Sequence, residues 1–222
     1  MTSRPLYQWF HEKKVSEFIN EALEIQTLKG SQTVEDAVRL LNEKKILGAP
    51  VIGDDDQVLG MIDMLDILKY IVSVAPDEHD IARDELQSLT IAGRAMSFKP
   101  LSDVLNFSGR DPYVPVYVDS PITQVIDLFS KGTHRTVVVN KEGSPISVIS
   151  QRSIVRVVAS NIDTYLKRHA DNTADKLGLG VSAPLTVKND SVVLDTIKQL
   201  EAGGYSSVGV VDESGKLIGD FS

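Results

Sequence analysis

His134 and Arg135 stand directly in front of Thr136 and three consecutive valines at 137–139. An imidazole beside a guanidinium fork, between a helix end and a strand, is suited to holding phosphate oxygens. Asp66 stands at the expected start of a helix, where the helix dipole favours a carboxylate whose two oxygens can accept a pair of hydroxyls, as a ribose diol offers. Each feature also has a plainer reading, Asp66 as a helix cap and His134 with Arg135 as a solvated corner. Other sets fit chemistry less well. Asp54, Asp55 and Asp56 lack the alternating ligands and distal Glu of a calcium loop and read as a polar hairpin turn. Gly178 with Gly180 and Gly203 with Gly204 are followed by no Lys-Ser/Thr, so they form no phosphate loop. His11, His79 and His169 lie scattered among polar neighbours. No nucleophile has a base at a recognisable spacing, and with no metal-ligand set or cofactor loop the sequence argues for binding rather than catalysis.

Composition narrows the partners. The 222 residues suffice for one large or two small domains with a buried core. Without cysteine there is neither a disulfide framework nor a thiolate metal site, which fits a cytoplasmic setting, with the nucleus as a further compartment. No apolar run approaches the ~18 residues of a membrane span, so no membrane partner is expected, and the amino terminus lacks the apolar stretch of a signal peptide. A net charge of −8 argues against nucleic acid, which needs a basic field.

The elements that would position these side chains recur along the chain. Val34, Ala37, Val38 and Leu41 share one helical face behind a Thr33/Asp36 capping box. The strand APVIG, a turn, a second strand at 58–62 and a second helix from about residue 65 to 72 follow. The order returns with Ile122, Val125, Ile126 and Phe129 behind Ser120 as N-cap and Pro121 as first helical residue. Residues 46–66 align with 133–153 without a gap, so Leu47 stands to His134 as Asp66 stands to Ser153. A third copy starts with Val193, Thr196, Ile197 and Leu200, has its strand at 208–211, and reaches Ser222 before a second helix. The sequence therefore divides into repeats at 11–74, 97–161 and 181–222, the last incomplete, joined by polar linkers at 75–96 and 162–180. A single unit exposes too much apolar helix surface to stand alone, so units should pair.

This order, with GMIDMLD at 60–66 closing the second strand, resembles the CBS domain, whose repeats pair into Bateman modules. THRTVVVN at 133–140 and VVDESGKLIGDFS at 210–222 are similar to stretches of the gamma regulatory subunits of AMP-activated protein kinase. The resemblance implies an α/β (α+β) fold of tandem CBS repeats, each a small sheet with two packed helices, and an adenine nucleotide (AMP, ADP or ATP) as regulatory ligand rather than as a required cofactor. It further implies that one site draws on two repeats, with Asp66 on the ribose, His134, Arg135 and Arg152 on the phosphate, and Met61, Tyr113 and Val114 near the base.

The departures from the family pattern weaken that site. Asp63 replaces a threonine three residues before Asp66 and places a second anion there. Leu47 replaces an arginine that would reach phosphate. Ser153 replaces the second repeat's aspartate, so the symmetric cleft is expected to be empty or to bind something else, leaving one adenosine-type site. Two functional readings follow. The chain is a non-enzymatic module that senses adenosine nucleotide and modulates a partner, or a ligand-independent scaffold or inhibitory subunit of a kinase or phosphatase with degenerate clefts. Pairing of two copies through the modules belongs to the same expectation.

Overall fold

The computed structural model describes residues 6–19, 24–74, 93, 97–165, 171–180 and 182–222. Apart from Gly93, the linker expected at 75–96 lies outside the described residues.

Three small sheets repeat one topology. They are β1 Leu28–Lys29, β2 Gly48–Ile52 and β3 Val58–Asp63; β4 Val116–Tyr117, β5 Arg135–Val139 and β6 Pro145–Ser150; and β7 Thr186–Lys188, β8 Val208–Val211 and β9 Leu217–Phe221. In each, the first strand is parallel to the second and the second antiparallel to the third. The parallel pair requires a crossover, supplied by α2 Val34–Lys44, α4 Ile122–Ser130 and α7 Val193–Gly203. The antiparallel pairs share a register shift, at Val51/Ile52, Val138/Val139 and Val210/Val211. Their turns share a left-handed residue, Asp56 (φ 60°), Gly143 (φ 84°) and Gly215 (φ 81°). The aspartates at 54–56 thus form the expected hairpin turn, and Asp55 accepts the Gln57 N–H at 3.2 Å.

The first two units each carry a second helix, α3 Met64–Val74 and α5 Gln151–Ser160, the latter followed by the short α6 Ile162–Tyr165. The Thr33/Asp36 box caps α2 as expected. The start of α4 differs by one residue: Pro121, not Ser120, holds the N-cap position, at φ −59° and ψ 137°. The cause is a tertiary tie, since the Ile122 N–H donates to the Lys13 carbonyl at 2.9 Å while Lys14 and Pro121 form a β-bridge.

That tie belongs to an exchange between units. Helix α1 Leu6–His11 and the 3-10 turn Val15–Phe18 precede the first sheet in the chain but pack in the second unit's core, where Val15 and Phe18 meet Val116, Ile122, Val138 and Ile149. Reciprocally, the 3-10 turn Leu101–Asp103 places Leu101, with Val104 beside it, in the first unit's core against Leu28, Val34, Leu41 and Ile62. The backbone bonds match across the pair. Val15 and Ser16 donate to Ser120 and Val118, and Leu101 and Ser102 donate to Gln32 and Gly30, at 2.8–3.1 Å. Neither unit closes its core from its own contiguous residues.

Strand β5 shows why three valines run in succession. Val138 faces the helices of its own unit, whereas Val137 and Val139 turn to the first unit and pack with Met61, Val58, Tyr113 and Val148. A strand covered on both faces needs no polar alternation. The third unit lacks this cover. Val193 and Leu217 are 59% and 64% exposed, and among its described residues only Val208, Thr196 and Leu200 are buried. It leans on the first unit through α7 and α3, where Lys69 pairs with Glu201 at 3.1 Å.

Candidate functional site

The first residues of β2 and β5 occupy equivalent places, Gly48 opposite Asp63 and Arg135 opposite Ser150. Arg135 reaches across to the first unit and lies over Gly48. A Cβ there would come within 2.8 Å of the guanidinium Nη1 and 2.9 Å of the Ile62 carbonyl, so the glycine makes room for the arginine.

Beside this crossing, a cavity of about 480 Å³ opens between the first two units. Residues 24–26 and 45–48 form one wall; His134, Arg135 and residues of β6 and the start of α5 form the other. Its lining carries Lys45, Arg135 and Arg152 as cations, His134 as an imidazole, and Glu24 as the single carboxylate. Ile25, Ile46, Leu47 and Val148 supply apolar surface, and Leu47 is 66% exposed. The volume falls within the ~300–1,000 Å³ of small-molecule pockets, and a mixed apolar and cationic lining suits a planar apolar group bearing an anion.

Asp66 does not line this cavity. It is buried at the start of α3, where its Oδ2 accepts the Asp63 N–H at 3.0 Å while Asp63 Oδ1 accepts the Asp66 N–H at 2.9 Å. The pair is a reciprocal helix cap, as are Ser150 and Ser153 on α5. Asp66 Oδ1 takes the Ser108 N–H at 2.8 Å. Burial, and then the charge of Asp63, raise the Asp66 carboxyl above its ordinary value.

The expected site residues therefore fall into three places. His134, Arg135 and Arg152 come together in the open cavity. Asp63 and Asp66 lie buried apart from it, with the Ser108 N–H on Asp66. Met61 is packed between the units with Tyr113 against it, and burial, then Tyr117, push the Tyr113 phenol up. Val114 is 40% exposed, and its carbonyl accepts the Thr136 hydroxyl.

Sequence reasoning missed Lys45, Arg110 and Asp111. Lys45 holds the left-handed C-cap of α2 (φ 53°) where the second unit has Gly132; a lysine opposite a glycine was the available signal. Arg110 Nε donates to His134 Nδ1 at 3.1 Å, with its Nη2 2.9 Å from Nε2. Asp111 accepts the His134 N–H and lies 3.5 Å from Arg135 Nε. Among the described residues, no group of three or more His, Cys, Asp or Glu could hold a metal, and no helix is long and apolar enough to cross a membrane.

Comparisons with known proteins agree with this architecture. A family model described as the CBS domain matches residues 15–73 and 102–160, together more than half of the chain. Among curated proteins, protein SDS23 of Yarrowia lipolytica is 27% identical over 205 residues, covering 88% of this chain and 40% of its own length. Protein sds23/moc1 of Schizosaccharomyces pombe is 21% identical, covering 90% and 50%. The chain thus spans two fifths to one half of these relatives. Among solved structures, protein MJ1225 of Methanocaldococcus jannaschii, put forward as an archaeal homologue of g-AMPK, aligns over 95% of this chain and 69% of its own with TM-score 0.71 and 20% identity. CBSX2, from Arabidopsis thaliana and solved in complex with AMP, aligns over 66% of this chain and 97% of its own with TM-score 0.50 and 23% identity.

Proposed function

The chain belongs to the CBS-domain family, and on that premise we propose that it is a non-enzymatic regulatory module that binds an adenosine nucleotide, of the AMP, ADP or ATP type, between its first two repeats and so modulates a partner protein. The observation that carries this reading is the inter-unit cavity in which Lys45, Arg135 and Arg152 outnumber the single carboxylate Glu24 beside an apolar wall. The guanidiniums and His134 would take the phosphate, and Ile25, Ile46 and Val148 the base. AMP in the fold neighbour CBSX2 supports the ligand class. Because both units line the cavity, a bound ligand favours whichever arrangement of the units it fits better, and a partner sensitive to that arrangement, such as a protein kinase or phosphatase subunit, would respond.

The test is thermal shift and calorimetry with AMP, ADP, ATP and adenosine, since a ligand bound only by the folded state raises the melting point. Binding of the phosphorylated compounds, weakened by Arg152→Ala, is the expected result. No shift with any of them at millimolar concentration would sink the reading. The burial of Asp66 beneath the Ser108 N–H favours the second reading, a ligand-independent interaction subunit, which that negative result would leave standing.

A further inference from the structure

Residues 107–111, Phe-Ser-Gly-Arg-Asp, bridge from the start of α3 to the start of β5 group by group. Phe107 sets its ring edge-on to Tyr70, with centroids 5.8 Å apart at 84°. The Ser108 N–H donates to Asp66, and the Ser108 carbonyl lies 3.4 Å from the Lys69 ammonium, which also holds Glu201 of the third unit. Gly109 turns the chain at φ 67°. Arg110 then binds the His134 ring, and the Asp111 carboxylate faces the His134 N–H and Arg135. A donor is thus presented to the buried carboxylate at one end, and an anion to the cations at the other.

We infer that residues 107–111 are an internal ligand of Asp66, displaced when an anion in the open cavity draws Arg135 away from Asp111. His134 and Arg135 belong to both places, lining the cavity on one side and holding Arg110 and Asp111 on the other. The grip on Asp111 is incomplete: Asp111 Oδ2 and Arg135 Nε are buried 3.5 Å apart and neither has a hydrogen-bond partner. A phosphate can engage a guanidinium bidentately and so offers Arg135 a better acceptor. Once Arg135 turns, Asp111 is a buried carboxylate without its cation, which favours departure of the segment and releases the Ser108 contact with Asp66. By linkage, a change that loosens Asp111 while leaving Arg135 and the cavity intact must strengthen anion binding there. The inference rests on the proposed reading for the class of anion only.

Hydrogen exchange at the Ser108 and His134 amides, which donate to Asp66 and Asp111, reports the segment directly; calorimetry with AMP and with inorganic phosphate reports the cavity. Saturating ligand is expected to speed exchange at both amides severalfold. Asp111→Asn should bind either probe about tenfold more tightly and show fast Ser108 exchange without ligand. Arg110→Ala, which leaves Arg135 untouched, should also speed exchange and guards against a folding defect in the first variant. Saturable binding to the wild type with unchanged or slower Ser108 exchange overturns the coupling. Wild-type Ser108 exchange in ligand-free Asp111→Asn overturns the internal-ligand role. Binding to Asp111→Asn alone supports the inference, and binding of neither probe to either protein overturns the coupling. Phosphate binding with the expected exchange but no binding of AMP, ADP or ATP leaves the inference intact and removes the nucleotide reading.

Discussion

Asp63 and Asp66 cap α3 for each other, each carboxylate accepting the other residue's N–H at 2.9–3.0 Å. Two anions share one helix start, where the dipole and four backbone donors tolerate them, yet the Asp66 carboxyl is still raised by burial and by Asp63. A carboxyl raised in the folded state contributes stability that is present below its unfolded value and is lost as pH rises through the folded one. Asp63→Asn keeps the acceptor for the Asp66 N–H and removes the repulsion. It is expected to stabilise the protein by about 0.5 kcal/mol at neutral pH, with the gain fading as pH falls into the carboxylate range. Melting temperatures of both proteins across that range check this; parallel curves would count against the repulsion.

Gly48→Ala tests the crossing of Arg135 over the first unit. The new Cβ would lie 2.8 Å from Nη1 and 2.9 Å from the Ile62 carbonyl, so the guanidinium must move. The expected cost is about 1–3 kcal/mol of stability, as for other overpacked sites, with AMP affinity falling about tenfold and adenosine affinity less. Equal loss for both ligands would show that Arg135 does not serve the phosphate.

Asp56 is a non-glycine residue in the left-handed region where the other two hairpins have Gly143 and Gly215. Asp56→Gly relieves that conformation at the cost of a more flexible unfolded chain. The balance is expected to be a gain of about 0.5 kcal/mol, read by denaturant midpoint, with ligand binding unchanged.

The fold was legible because the units agree with one another. A gapless match of 46–66 with 133–153 implies equal strands, equal turns and equal registers, and the hairpins share even their bulge. Helix faces were less legible where packing depends on a neighbour: Val38 and Val193 fit their helical stripes but are 39% and 59% exposed. The grouping of Asp66 with Arg152 rested on the resemblance alone. The structure instead sets the Ser108 N–H on Asp66, from a loop at 107–111 that has no apolar period to announce where it lies. The exchange of Val15 and Leu101 between cores was hidden for a similar reason, since a short apolar turn does not state which sheet it will cover.

Ser153 stands where the first unit has Asp66, and its hydroxyl accepts the Ser150 N–H at 3.2 Å as Asp66 accepts that of Asp63. Asp66 shows what a carboxylate does in this place: one oxygen closes the cap, and the other accepts a donor from outside the helix, the Ser108 N–H. Ser150, Gln151 and Arg152, the residues just before Ser153, line the open cavity. Ser153→Asp should therefore keep the cap of α5, add about 0.3–1 kcal/mol through the helix dipole, and offer its second oxygen to a ribose hydroxyl. A hydrogen bond to a charged acceptor contributes about 1.5–3 kcal/mol, so adenosine is expected to bind at least about tenfold more tightly while adenine, which has no ribose, gains nothing. The ratio of the two affinities, by calorimetry in wild type and variant, is the measurement. An unchanged ratio would place the ribose away from the start of α5.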